Sequence, residues 1–78
     1  MARFYFDLRD GDKFIPDEEG LELLGIEQAR VEAAATLAGI AKDKVPSLHA
    51  YHGAIEVRDE AKEPVLQTRI SYEAKRLR

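Results

Sequence analysis

A single amphipathic helix, predicted over residues 26–45, stands between two groups of strand-like segments in this 78-residue chain. At 100° per residue its apolar side chains fall within one stripe, formed by Ile26, Ala29, Ala33, Leu37 and Ile40. Such a stripe marks a helix with one buried face. No second helix is predicted, so the stripe must be buried against a sheet. The pattern therefore favours a two-layer α+β fold.

Residues typical of helix ends delimit this segment. Gly25 is an acceptable N-cap, and Glu27 places negative charge where the helix dipole favours it. Lys42 and Lys44 suit the last turn, and Pro46 disfavours a helical conformation at the residue before it.

Alternation of apolar and polar residues predicts strands on both sides of the helix. Phe4, Phe6 and Leu8 predict a half-buried first strand, and an Asp-Gly turn leads into a short second strand over 13–15. An acidic turn follows, after which residues 21–24 re-enter the apolar layer.

After the helix, residues 47–53 are predicted to form a loop. Residues 55–58 and 65–73 then form a third and a fourth strand, joined by a turn over 59–64. We therefore predict one domain over 1–78, a ββαββ chain with an antiparallel sheet and the helix packed on one face.

Composition narrows how so small a domain is stabilised. The chain has no cysteine and two histidines, which excludes disulfides and argues against a structural zinc site. A core of this size contributes little net stability, so association with another subunit is the remaining external support. Without a signal segment or a long apolar run, a cytoplasmic protein is expected.

Charge is distributed unevenly around a formal net value of −3. Residues 1–60 carry seven basic and thirteen acidic side chains, whereas residues 61–78 carry five basic and two acidic ones. The overall negative charge argues against nucleic acid as a partner, and no membrane contact is expected. The basic C-terminal end is either a contact for an acidic partner or a solvated terminus.

No set of residues predicts catalysis, cofactor binding or a metal site. The carboxylates around the first hairpin have the chemistry to bind a hard cation, but their spacing does not match an EF-hand loop. They also suit solvated turns. His49 and His52 lack a third ligand nearby, and no hydroxyl lies in a nucleophile motif or a glycine-rich phosphate loop. We therefore expect a non-enzyme.

Two surfaces are candidate partner contacts. One is a second helix flank, turned away from the main stripe and made of Val31, Ala34, Ala35 and Ala38. Its small residues allow close approach of another chain, although alanine is also simply the best helix former. The second surface is the outer sheet face, with Arg3, Tyr5, Arg58 and Arg69.

The outer face supports two interpretations. A tyrosine between arginines can stack a nucleic-acid base, with help from the basic tail Lys75, Arg76 and Arg78. Cross-strand ion pairs on a wet antiparallel face account for the same residues. The favoured function is a protein–protein interaction module whose partners include a second copy of itself, in a homodimer. The alternative is a regulatory nucleic-acid-binding or antitoxin-like protein.

Three sequence motifs carry a family resemblance. They are the first strand with its Asp-Gly turn over 3–11, the acidic stretch 17–23 before an Ala-rich helix, and the pair 55–60 and 64–66. In these the chain resembles a group of very short bacterial proteins, abundant in rhizobial-type bacteria and classed as a domain of unknown function. The resemblance implies a small cytoplasmic protein without an assigned activity. It also implies a glycine in the last turn, where this chain has Ala61 and Lys62.

The layout is also similar to that of HicB-type antitoxins, which open with strands, an acidic Gly-containing turn and an amphipathic helix. This chain lacks their proline-rich segment before the helix and a separate DNA-binding unit.

Overall fold

A computed structural model describes all residues, 1–78, as one sheet with one long helix. The strands are β1 (Ala2–Asp10), β2 (Lys13–Ile15), β3 (Leu21–Leu23), β4 (Ala50–Arg58) and β5 (Pro64–Glu73). Helix α1 spans Ile26–Lys44, and a short 3₁₀ turn over Val45–Ser47 leads into β4. All strand pairs are antiparallel. The predicted α+β class, with a helix over an antiparallel sheet, is confirmed.

The sheet has the order β2-β1-β4-β5, and β3 also pairs with β1. β2 lies beside the C-terminal end of β1, and β3 lies beside its N-terminal end. Both short strands therefore occupy the same edge, separated by an acidic loop over residues 16–20. The predicted layout had only two strands before the helix. The third exists because residues 21–23 pair with β1 as they return to the apolar layer.

β4 begins five residues earlier than predicted, since residues 50–53 are part of the strand and not of a loop. The reason is a continued period of two, in which Tyr51, Gly53, Ile55 and Val57 are all buried on the face beneath the helix. The full strand pairs with β5 from Ala50 onwards. A glycine and a histidine in this segment concealed the alternation.

Six buried side chains form the core between helix and sheet: Phe4, Ala29, Ala33, Leu37, Ile55 and Val57. The predicted stripe is confirmed at its three central positions. Ile26 is an exception, because half of its surface is exposed, at 50%. The buried ridge continues instead to Ala41. The first helical turn therefore lies at the margin of the packed region.

A polar cluster closes one end of the core. Lys44, at the end of α1, forms an ion pair with Asp10 at the end of β1. The Tyr51 hydroxyl donates to the other carboxylate oxygen of Asp10 at 2.9 Å. Gly53 leaves room for this ring, because a Cβ there would lie 2.8 Å from the Tyr51 oxygen. Neither the long helix nor the 3₁₀ turn has the length and apolar character needed to span a membrane.

Candidate functional site

The outer face of the sheet, opposite α1, carries Tyr5 at the centre of the predicted platform. Its ring is already covered by cations of the same chain. The Lys62 ammonium lies 3.6 Å from the ring centroid, and the Arg58 guanidinium carbon lies 5.1 Å away. These cation–π contacts join β1 to the β4–β5 hairpin. Base stacking on this ring would have to displace them.

Arg58 is also the partner of a buried carboxylate. Its Nε donates to Asp7 Oδ2 at 2.6 Å and its Nη2 to Oδ1 at 3.0 Å, a bidentate pair. Asp7 is only 3% exposed. Burial raises the pKa of Asp7, but the Arg58 hydrogen bond, a backbone bond from Asp17 and the Arg58 charge outweigh it and lower that pKa overall. Asp7 is therefore held as a carboxylate that fixes Arg58.

Asp17 organises the acidic loop between β2 and β3. Its carboxylate accepts backbone N–H bonds from Phe6 at 3.0 Å and from Glu19 and Gly20 at 3.1 Å each. Gly20 has φ 73, and a Cβ there would lie 2.9 Å from the carbonyl oxygen of Phe4. The loop thus presses directly on the edge of β1. Only glycine fits this combination of positive φ and close approach.

The acidic residues of this region do not converge on a metal site. Nowhere in the chain do three or more His, Cys, Asp or Glu side chains meet as ligands. Asp17 binds backbone amides and Asp7 binds Arg58. Asp10 binds Lys44 and Tyr51 at the other end of β1. The carboxylates therefore serve separate structural contacts.

The other basic candidates of the outer face differ in their partners. Arg3 donates to the Glu19 carbonyl at 2.6 Å and to Glu22 at 3.3 Å, so it ties the acidic loop to β3. Arg69 makes no hydrogen bond or ion pair with another side chain. Of the four residues predicted on this face, three are engaged internally and Arg69 is free.

One comparison identifies a family. The model of a domain of unknown function, DUF6894, matches residues 3–71, which is most of the chain. The chain belongs to the DUF6894 family. The resemblance to a family of unknown function is thereby confirmed. Comparison with curated proteins and with solved structures gives no match.

The matched region of this DUF6894 member covers the helix, β2, β3 and β4 in full and all but the end residues of β1 and β5, so it contains nearly all of both candidate surfaces. The family resemblance implied a glycine in the turn between β4 and β5. Lys62 has φ 66, the left-handed conformation that favours glycine. The turn is nevertheless closed by hydrogen bonds, since Asp59 Oδ1 accepts N–H bonds from Ala61 at 2.9 Å and Glu63 at 3.1 Å. The expected glycine position is therefore occupied by a strained lysine.

The second helix flank is exposed. Val31 is 53% exposed, and the three alanines of the flank are open to solvent as well. Ala34 and Ala38 share their side of α1 with Ala41 and Val45, by the spacing i, i+4, i+7, i+11. Ala41 and Val45 line a groove of about 440 Å³ together with residues of β5: Ile70, Ser71 and Tyr72. Part of the predicted flank therefore faces the β5 side of the molecule.

The two edges of the sheet differ sharply. One edge is formed by two three-residue strands, interrupted by Pro16 and the acidic loop. The other edge is β5, ten residues long, with its only proline at the first position. Short strands, proline and irregularities block strand addition, whereas a long regular edge permits it. β5 has a register shift at Val65, next to its proline, and lacks these features over residues 66–73.

Sequence reasoning did not find the open edge, because strand order cannot be deduced from alternation. It also missed the pairing of Asp7 with Arg58, which are 51 residues apart. The alternation along each strand indicated only that both side chains lie on the outer face of the sheet. It did not indicate that they contact each other. His52 was predicted to be a surface or packing histidine on a loop, but it lies in β4. Its Nδ1 lies 3.2 Å from the Ser71 hydroxyl on the neighbouring strand.

Proposed function

We propose that this DUF6894 protein is a small non-catalytic protein–protein interaction module that self-associates as a homodimer through the open edge of β5. The observation that carries the proposal is the contrast between the two edges. The unprotected edge over residues 66–73 presents a row of backbone N–H and C=O groups to solvent. Pairing with a second β5 strand would satisfy them and extend the sheet across two subunits.

The surface next to this edge supports the same contact. The groove between α1 and β5 is lined by apolar groups of Ala41, Val45, Pro46 and Ile70. With β5 strands paired antiparallel about a two-fold axis perpendicular to the sheet, both helices lie on the same side. The small residues Ala34 and Ala38 then allow the helices to approach. This arrangement buries apolar surface that a core of this size leaves exposed.

Two registers, with the axis at Thr68 or at Arg69, pair nearly the whole of β5, and charge favours one of them. When the axis passes through Thr68, each Arg69 lies opposite Gln67 of the second copy, and no like charges are directly opposed. When the axis passes through Arg69, that residue faces its own copy, which is destabilising. We therefore propose the register centred on Thr68.

The test uses two opposite charge changes at one position. Sedimentation equilibrium over a range of protein concentrations should show a monomer–dimer equilibrium in the wild type. Gln67→Glu would place a carboxylate opposite Arg69 of the second copy and should strengthen dimerisation. Gln67→Lys should weaken it. The difference between the variants should be several-fold in dissociation constant, as expected for cross-strand charge pairs of about 0.2–1 kcal/mol each.

The stability of the monomer distinguishes a change in dimerisation from a change in folding. Within one chain Gln67 pairs with Glu56 of β4, so Gln67→Glu should destabilise the monomer and Gln67→Lys should stabilise it. That order is opposite to the order for the dimer. Thr36→Glu and Thr36→Lys, on the other flank of α1, are the matched controls and should leave dimerisation unchanged. A strict monomer at the highest concentrations would refute the proposal, as would equal dimerisation of the two Gln67 variants.

The geometry gives less support to the alternative of a regulatory nucleic-acid-binding or antitoxin-like protein. That function relied on Arg3, Tyr5, Arg58 and Arg69 as a joint contact. The first three already hold Glu22, Lys62 and Asp7. Salt-dependent retention of the protein on single-stranded oligonucleotides would restore this alternative.

A further inference from the structure

A second feature of the outer face is a groove of about 340 Å³ at the end of the sheet near the β1–β2 turn. Three strands contribute to it: Arg9 from β1, His52 and Ala54 from β4, and Arg69 and Ser71 from β5. Arg9 and Arg69 are both register partners of Ala54, one on each side. Their Cα atoms are therefore separated by two strand spacings, about 10 Å, across a methyl side chain.

The two arginines have no acidic partner. The four ion pairs of the molecule are elsewhere and join Arg3 to Glu22, Arg30 to Glu27, Lys44 to Asp10 and Arg58 to Asp7. Glu56 is the nearest acid along β4 on this face. It lies opposite Asp7 and Gln67 and forms an ion pair with neither arginine. The groove therefore has two guanidinium groups whose charges are not neutralised by the protein.

Neighbouring side chains support the arginines. The guanidinium carbon of Arg9 lies 4.6 Å from the Phe14 ring centroid, a stacked contact that leaves its edge N–H groups free. Ser71 and His52 are already within hydrogen-bond distance of each other, at 3.2 Å. The hydroxyl and the imidazole add two more polar groups beside Arg69. Ala54 has no side chain long enough to fill the space between the arginines.

We propose that this groove binds the phosphate group of a small phosphorylated molecule. Arginine forks match phosphate oxygens bidentately, and phosphate has enough oxygens to accept from two arginines and a hydroxyl at once. A carboxylate has only two oxygens. The volume is at the small end of the range for ligand sites, roughly 300–1,000 Å³. A polynucleotide would extend over the acidic body of the chain, which disfavours it.

Amide chemical shifts followed by NMR test the proposal on the full chain. Inorganic phosphate and ribose 5-phosphate would be titrated at constant ionic strength, with chloride as the reference anion. Saturable shifts are expected at the amides of Ala54, Arg69 and Ser71, and not with chloride. Arg9→Gln and Arg69→Gln should each weaken binding about tenfold or more, as expected for a lost charged hydrogen bond.

Arg76→Gln is the matched control, because it removes the same charge from the C-terminal tail and should leave the affinity unchanged. Equal weakening in Arg76→Gln and Arg69→Gln would overturn the proposal, since it would indicate general charge attraction. Tighter binding of a ten-nucleotide oligothymidylate than of ribose 5-phosphate would also overturn it, in favour of a polynucleotide. The variant Arg9→Gln keeps the β5 edge intact, so this site and the homodimer can fail independently.

Discussion

Single residues in this structure show where local strain and local contacts oppose each other. Lys62 occupies a left-handed backbone conformation at φ 66, and its ammonium also lies on the Tyr5 ring. The backbone conformation costs a non-glycine residue about 1 kcal/mol. The cation–π contact returns about 0.5–1 kcal/mol at an exposed site. The backbone cost and the cation–π contribution are of similar size, so only substitution of Lys62 can measure each of them separately.

We predict that Lys62→Gly is more stable than Lys62→Ala by about 1 kcal/mol, because both lose the Tyr5 contact and only glycine relieves the backbone. Urea unfolding of the two variants measures the difference. If alanine proves as stable as glycine, the turn adopts another conformation in solution.

Tyr51 provides a test of the polar cluster at the end of the core. Burial, the hydrogen bond to Asp10 and the charge of that carboxylate raise the pKa of Tyr51 to about 12. A folded-state pKa above the unfolded value of about 10 means that this stability is present below pH 10 and is lost as pH rises towards 12.

We therefore expect absorbance at 295 nm to show one of the three tyrosines ionising late in the folded protein. Tyr51→Phe should remove that late step and reduce the loss of unfolding free energy above pH 10. A late step that persists in Tyr51→Phe would assign it to another tyrosine and contradict the prediction.

At the scale of elements, α1 approaches the sheet closely because its central contacts are alanines. Ala29 and Ala33 are fully buried, at 0% exposure. Ala33 is followed by exposed alanines on the outer flanks of the same helix. Alanine is therefore a buried contact on one face of the helix and a solvent-exposed residue on the other faces, and only its position on the helix distinguishes the two.

We predict that Ala33→Leu destabilises the fold by about 1–3 kcal/mol, since the added atoms would force helix and sheet apart. Ala35→Leu is the matched control and should change the free energy of unfolding by less than about 0.5 kcal/mol. Thermal or urea unfolding gives both values. Equal tolerance at the two sites would mean that α1 does not rest on the sheet through this face.

Prediction from sequence succeeded best for the elements with clear periodicity. The bounds of β2 were predicted as the structure has them, and α1 ends one residue before the predicted bound. β3 and the first half of β4 were missed, because strand formation there depends on pairing with a distant partner and local preference is weak. Of the candidate contacts, the helix flank is exposed as predicted, whereas Tyr5 and Arg58 are engaged with each other and with Lys62 and Asp7.

The whole molecule depends on carboxylates that remain ionised in the folded state. Hydrogen bonds from Lys44 and Tyr51 lower the pKa of Asp10. Burial raises the pKa of Asp17, but its three backbone N–H bonds outweigh that effect and lower it. The pKa of Asp7 is lowered as well. Each of these groups stabilises the fold above its unfolded pKa of about 3.9, and that contribution is lost as pH falls through the folded value.

We therefore predict that the free energy of unfolding falls steadily below about pH 4. Asp17→Asn should lower stability at pH 7 by about 1–3 kcal/mol, through loss of charge-assisted bonds to three amides. It should also flatten the acid dependence. Glu18→Gln, on the exposed part of the same loop, is the control. An acid profile of Asp17→Asn parallel to that of the wild type would assign the dependence to other groups.

The sequence by itself determined the class of fold, because a helix stripe and alternating strands can each be buried in only a few ways. It also determined the absence of disulfides and the acidic character of the chain. Only the tertiary structure decided which strand lies at the open edge, which arginines are neutralised and which remain free. Those properties depend on pairings between residues up to 51 positions apart, and local periodicity carries no information about such partners.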